Sequence, residues 1–584
     1  MLFSLVACSD GVRVDSQASG GTTSADGADT GDFDGGDVAG GGGTDGDGSD
    51  ADGGTGALPE LAVHDAGFTG TYYSGAEQCA SCHDDLPDAS GNLVSMASDW
   101  SSSMMANSAR DPYWMAKVAA EARRNPHLQD SLGDTCSRCH APMANDTARK
   151  DGLTPSLGDG GLLDEDNPLF DHAMDGVSCT LCHQIDDDAV LGTPQGHSGN
   201  FNVLVQANPA ERPAYGPYSD PNGVLMQSQV RFNPVFGAHM SDSAVCASCH
   251  DLVTPAGGHQ AGAAVTFFPE QMVFSEWRNS VYASEGDSGR TCQACHMPVV
   301  PGEMLLANRG GGVPREGVSR HTFLGANTVM QSMLMTHRES LGIAVPAARF
   351  AESIERNRAF LQEAGEVEIT DSSISGGILE THLVIRNQTG HKLPSGFPSR
   401  RVHVHFLVLN EAGDAVFESG ALNDDGSIDG LVSDADSSQY ELHHDLIDSP
   451  DQVQVYEAIM GDSAEQVTHT LMQATRYVKD NRLLPSGFDK ASAPDDIMTV
   501  GQANTDDNFQ AGGDEIVYRV VLPADGEYTV IAELVYQPLA FGHIQDLFED
   551  ADLDAVDRFR TLFDATELKA EVIDSATITV RQVQ

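Results

Sequence analysis

From Gly365 onward the texture of the chain changes to alternating apolar and polar runs, such as Leu379–Arg386, Val402–Leu409, Ile516–Leu522, Tyr528–Tyr536 and Ala576–Val583. A period of two sends successive side chains to opposite faces of a strand, so each run reads as a strand with one buried face. Residues 365–584 are expected to form an antiparallel β-sandwich. From Phe541 to Thr566 apolar residues instead recur at three and four, which predicts a helical insertion at 541–566. Upstream, the texture is that of short helices joined by long loops. Asp111-Pro112 reads as N-cap and first turn of a helix that Pro126 stops after Asn125, and two more helices are expected over Thr328–Leu341 and Ala347–Ala364. No strand-rich stretch is expected before Gly365. The fold class is thus α+β and multidomain: a mainly helical and irregular part at 59–364, followed by the sandwich.

Eleven cysteines change this picture, because ten fall into five pairs of one form: CASCH (Cys79, Cys82, His83), CSRCH (Cys136, Cys139, His140), CTLCH (Cys179, Cys182, His183), CASCH (Cys246, Cys249, His250) and CQACH (Cys292, Cys295, His296). A C-x-x-C-H run offers two thiols to the two vinyl groups of one porphyrin and a histidine to its iron. A four-thiolate zinc site needs cysteine pairs in twos, and five pairs leave one over. A thioredoxin-like motif uses one pair and not five. The reading is five covalently bound haem c groups, with His83, His140, His183, His250 and His296 as iron ligands. Five haems between Cys79 and His296 leave roughly 44 residues per porphyrin, too few for an ordinary apolar core, so the haems serve as the core.

The formal charge is −55, from 32 Lys plus Arg against 87 Asp plus Glu. Phosphate backbones would be repelled, which excludes nucleic acid as a partner. A protein partner would offer a basic face, and haem propionates would deepen the attraction. No run of 18 or more apolar residues is present, so no membrane-spanning helix is expected. Leu5-Val6-Ala7-Cys8 has the form of a lipobox in which Cys8 carries the lipid, with 1–8 as the remnant of the signal. The seven residues before Cys8 lack the basic segment of a complete signal peptide. Ser9–Leu58 holds 11 Asp and is rich in Gly, Ser and Thr, a composition unable to bury a core and suited to a tether. The expected location is the bacterial cell envelope, as an outer-membrane lipoprotein facing the periplasm or the cell surface.

The phrases GAEQCASCH, DWSSSMMANSARDPYW, GVSCTLCHQI, RPAYGPYSDP, AHMSDSAVCASCHDL, FFPEQMVFSEWRNSVYA, CQACHMP and HTFLGAN make residues 68–336 resemble the multihaem cytochrome c family that includes cytochrome c-554 and the hydroxylamine-oxidoreductase-like proteins. The resemblance implies an electron carrier of the periplasm or outer surface, or a reductase or oxidase of small nitrogen or sulfur compounds. Relatives often place an iron-binding histidine in a W-x-x-S-x-H-A frame. Here that frame reads Trp100, Ser103, Met105, Ala106 in one copy and Trp277, Ser280, Tyr282, Ala283 in the other. Met105, or its neighbour Met104, is the distal ligand this suggests, with Tyr282 beside an iron.

Sixteen of the 21 histidines lie outside the motifs. His239 and His172 each stand seven residues before a motif cysteine, and His239 resembles a family ligand. His321 precedes a helix, and His391 sits in a turn between strands where Gly390 and Pro394 would fix a rigid loop. These four, with Met105, are the distal candidates; His127, His197, His259 and His337 rank below them, His403 and His405 belong to a strand, and His443 and His444 have no assigned role. The function so read is electron relay through five haems in a respiratory chain. The alternative is a multihaem reductase or oxidase acting at an open iron, with Tyr282, Arg278 and His259 as nearby donors.

Overall fold

The computed structural model describes residues 60–256 and 266–581. Cys8, the tether and His259 lie outside them. No helix among the described residues is long and apolar enough to cross a membrane.

Each cysteine motif forms a short helical segment: Glu77–His83, Gln129–His140, Cys179–Cys182, Ala244–His250 and Cys292–His296. In a helical turn the positions i, i+3 and i+4 share one face, so the two sulfurs and the imidazole of a motif point the same way. Asp111 starts the helix Pro112–Arg124 by accepting from the Tyr113 and Trp114 amides. Helices Thr328–Thr336 and Ala347–Leu361 follow the last motif.

The stretch before Gly365 is not free of strands. It holds three two-stranded sheets: β1 (Leu86–Pro87) with β2 (Leu93–Val94), β3 (Arg212–Gly216) parallel to β4 (Phe232–Phe236), and β5 (Asp251–Ala256) with β6 (Thr266–Met272). Segments of two to seven residues are too short for an alternating pattern to register in sequence. Two of these sheets mark an internal duplication. In both copies of CASCHD the final aspartate, Asp84 or Asp251, follows the motif histidine and a hairpin comes next. Asp84 then accepts from the amides of Ala97 and Ser98 and from the Ser98 hydroxyl, and Asp251 from the amides of Phe274 and Ser275 and from the Ser275 hydroxyl. Each aspartate thereby caps the helix carrying the W-x-x-S frame, Met96–Ser101 or Val273–Arg278. The indole of Trp100 donates to Val177 O and that of Trp277 to Arg290 O, two residues before Cys179 and Cys292 respectively.

After Gly365 the strands are β7 (Gly365–Ser375), β8 (Ile378–Asn387), β9 (Arg401–Leu409), β10 (Ala415–Ser419), β11 (Leu446–Ile447), β12 (Val455–Gly461), β13 (Arg476–Asp480), β14 (Gly513–Val521), β15 (Glu527–Gln537) and β16 (Glu571–Arg581). One sheet runs β13-β12-β9-β15-β16 with β10 also on β9, the other β11-β14-β8-β7. The alternation seen in sequence now has a destination. Leu379, Leu383, Ile385 and Ile516 of the second sheet and Val402, Val404, Phe406, Val408 and Val530 of the first join one buried cluster. Phe406 and Tyr518 stack there at 3.9 Å.

The predicted insertion is two helices, Phe541–Phe548 and Asp554–Asp564, and it leaves the sheets. Ile544, Leu547, Phe559 and Phe563 pack with Tyr113, Met330, Met333 and Phe350, so the insertion shares its core with the helices of the motif-bearing region. Arg124 of that region bonds Asp546 and Asp550 of the insertion. The two halves of the chain interlock.

One polar cluster is closed inside the sheets. His443 Nδ1 accepts from the Gln454 and Asn481 amides, whose own oxygens accept from backbone N–H of His444 and Glu457, so the amide orientations are fixed. The imidazole proton therefore sits on Nε2 and goes to Asp506. A ring nitrogen that carries its proton is no metal ligand, although His443, Asp506 and Asp514 bring ligand atoms within 4.8 Å of one another. Burial, then the nearby Asp506 and Asp445 carboxylates, push the Asp514 carboxyl up to about 8, against hydrogen bonds from Tyr456 and the Glu515 amide. A folded-state value above the unfolded ~4 gives stability that is complete at acid pH and is lost as pH rises toward 8. Chemical unfolding followed across pH 5 to 9 is expected to show this decline, shallower in Asp514→Asn; equal slopes in the two proteins would contradict the assignment.

Candidate functional site

Four of the five motif imidazoles are locked by the backbone. Nδ1–H of His83 donates to Leu306 O (2.6 Å), that of His140 to Ser108 O (3.1 Å), that of His183 to Tyr215 O (2.6 Å) and that of His296 to Leu324 O (2.5 Å). A donor bond on Nδ1 fixes the neutral tautomer whose lone pair is on Nε2, the form that binds a metal. Burial holds all five rings below the usual imidazole range, His140 and His250 at about 4. For His250 the neighbouring His296, Arg400 and His391 add to the effect.

Two of these imidazoles face a second one. The ring of His321 lies 6.2 Å from that of His183 with 23° between planes, and the ring of His391 lies 6.4 Å from that of His296 with 14°. Two imidazoles bound in line to one metal through nitrogens at ~2 Å, each nitrogen ~1.2 Å from its ring centre, place their centroids ~6.3 Å apart. The far rings are also tautomer-fixed: His321 Nδ1–H donates to Ser319 O and His391 Nδ1–H to Lys392 O. Both pairs are therefore spaced and protonated so that they could hold one metal between them.

The sulfurs do not assemble a zinc site. Among the described residues, the only three ligand atoms of His, Cys, Asp or Glu found within 4.8 Å of one another are those of the closed His443 cluster. Burial pushes the Cys136 thiol up and the Cys182 thiol to about 11, whereas hydrogen bonds from a second thiol hold those of Cys79, Cys139 and Cys292 below the usual range. The sulfurs do meet pairwise across motifs. Cys79 hydrogen-bonds Cys179, Cys139 bonds Cys249, and Cys246 bonds Cys292, while Cys182 lies close enough to Cys246 and Cys249 to act on their ionisation. The first and third motifs are thus neighbours, as are the fourth and fifth, and the fourth also borders the second and third. The two close pairs belong to the two copies of the duplicated CASCHD unit.

The remaining residues singled out from the sequence fall into different settings. His239 is buried; its Nε2–H donates to Ile185 O, and its Nδ1 is buried with no partner in the protein. His172 packs on Phe68 at 4.1 Å with its Nε2 against Gly70, where an added Cβ would come within 2.5 Å, and its Nδ1 is likewise unpartnered. Met105 is half-buried and its carbonyl accepts from Val177, whereas Met104 packs in the apolar cluster of Tyr113 and Phe559. Tyr282 packs on Gly390 beside His391, as does Trp277. His127 is exposed. His197, ranked low from sequence, is buried beside Asp251 with Nε2 unpartnered, and His337 also buries an unpartnered Nε2. Buried polar atoms are nearly always bonded, so the orphaned nitrogens of His239, His172, His197 and His337 are free to meet a group from outside the chain. Nothing near His197 in sequence signals this; the signal that was legible is the repeated CASCHD and W-x-x-S frame, found by comparing the chain with itself.

No family model matches this sequence, and no curated protein matches it either. A solved structure described as the crystal structure of a penta-heme cytochrome c552 from Thermochromatium tepidum matches with a TM-score of 0.48 at 16% identity, over 87% of this chain and 100% of that one.

Proposed function

We propose that the chain is a c-type cytochrome that carries five haems and relays electrons in a bacterial cell envelope. The observation that carries this reading is the pair of imidazole couples, His183 with His321 and His296 with His391, each built on a C-x-x-C-H turn and each spaced for one metal. Haem iron supplies reversible one-electron chemistry when bound. The chain's own part is to fix tautomers through Leu306, Ser108, Tyr215 and Leu324, to hold the rings neutral by burial, and to set the motifs side by side. Contacts between thiols support the order first, third, fourth, fifth, with the second branching from the fourth at Cys139 and Cys249. His239, His172 and Met105 remain the distal candidates proposed for the other three irons, and the unpartnered Nε2 of His197 adds one that ranked below them in the sequence. The charge of −55 favours a redox partner with a basic face, and lipidation at Cys8 would tether the chain to a membrane.

A second reading, a reductase or oxidase of a small nitrogen or sulfur compound, is favoured by one feature. It is an indole, that of Trp114, and not an imidazole that stacks flat on His140, at 4.4 Å. The test is intact mass together with EPR of the oxidised holoprotein. Mass is expected to equal the polypeptide plus five haem c groups, and the relay reading requires every iron to be low-spin. A high-spin iron that takes up nitrite or cyanide would move the assignment to the second reading, and free thiols without a Soret band would end both.

A further inference from the structure

His391 is the one distal candidate supplied by the sheet-bearing half of the chain, and a buried ionic cluster holds its loop. Glu276 stands next to Trp277 in the helix Val273–Arg278 of the duplicated unit, and its side chain is fully buried. Its Oε2 accepts from the Lys392 amide (3.2 Å) and the Ser395 hydroxyl (2.5 Å), both on the β8–β9 loop that carries His391. Its Oε1 pairs with Arg482 at 2.9 Å. Arg482 reaches Asp480 at 2.8 Å, and Asp480 takes the Lys392 ammonium at 2.7 Å. The four side chains are between 0% and 7% exposed, so two cations and two carboxylates close a ring that water does not screen.

The geometry around the ring leaves the loop little freedom. His391 O accepts from Asn387 Nδ2, and His391 Nδ1–H donates to Lys392 O, the carbonyl of the residue whose amide Glu276 holds. Gly390 lies against Trp277 and Tyr282, each 3.4 Å from where its Cβ would stand. Val281 N–H donates to Ser486 O, a further bond from the duplicated unit to the sheet half. The ring of His391 thus stands 6.4 Å from that of His296 on a loop that the motif-bearing half holds on either side of it, at Gly390 and at Lys392 and Ser395.

We propose that Glu276 is a positioning residue for the His391–His296 couple: it holds the loop in register, so that docking of the sheets onto the motif-bearing half sets the coordination of the haem at Cys292 and Cys295. This rests on the haem reading above. A merely structural ion pair would cost stability on removal but leave the couple intact.

The test uses the full holoprotein with haem content checked by intact mass. His391→Ala comes first: it is expected to turn one of five haems from low-spin to high-spin and open it to carbon monoxide when reduced. If it does not, the haem reading of this couple has failed, independently of Glu276. Glu276→Ala is then expected to reproduce the same one-haem change. Glu276→Gln, which keeps an acceptor for Lys392 and Ser395 but loses the charge facing Arg482, is expected to keep that low-spin signal at shifted g-values. An unaltered spectrum in Glu276→Ala overturns the proposal even if the protein is less stable. Should Glu276→Ala not accumulate, an unshifted signal in Glu276→Gln overturns it.

Discussion

Oxidised His321→Ala protein is expected to lose one low-spin EPR signal and to gain one high-spin iron that binds carbon monoxide after reduction, with all five haems still present. The basis is that His321 touches the centre only through its ring, 6.2 Å from His183. The other attachments lie on the short helix Cys179–Cys182 and on His183, whose Nδ1 stays bonded to Tyr215 O. On the haem reading proposed above, removing the far imidazole therefore leaves Cys179, Cys182 and His183 in place to hold the group. His321→Met should restore the low-spin state at a higher reduction potential, because methionine opposite histidine raises it. Redox titration followed in the visible band reads that shift, and five unchanged low-spin signals in His321→Ala would remove His321 from the ligand set.

The largest loss of stability is expected at Arg401, at the start of β9. Its guanidinium is 1% exposed and meets Asp434 at 2.6 and 2.7 Å, and its Nε donates to Gln537 Oε1 at 2.7 Å. Arg401→Met strands the Asp434 carboxylate, itself 3% exposed, with only the Ile428 amide as donor to one oxygen. Breaking a buried pair by removing one partner costs about 3–5 kcal/mol, several times a typical surface substitution. Denaturant unfolding followed by far-UV circular dichroism should show that loss. The double change Arg401→Met with Asp434→Leu should recover most of it, since no lone charge is then left behind. A single variant within 1 kcal/mol of the parent would mean that water reaches the site.

Elements whose cause is local were legible in the sequence. The helix beginning at Asp111-Pro112 is written in its cap and in the fixed φ of Pro112, and the strands β8, β9, β14, β15 and β16 are written in their alternating texture of apolar and polar residues. The small sheets β1–β2, β3–β4 and β5–β6 escaped notice because they are too short to alternate visibly. The two helices after Phe541 carried a clear three-and-four pattern, but that pattern names no partner, and their apolar face turned out to lie on Tyr113 and Phe350 rather than on a sheet.

The same division runs through the site. Two thiols and an imidazole at i, i+3 and i+4 share a face of one turn whatever the rest of the chain does, so the sequence alone determined the five C-x-x-C-H turns and which two thiols and imidazole each presents together. Which imidazole stands across from which was decided by tertiary structure alone. His321 and His391 reach His183 and His296 only after long loops close and the two halves of the chain dock, through Glu276 and Arg482 in the second case. Such contacts depend on packing and buried charge far apart along the chain, and no local spacing encodes them.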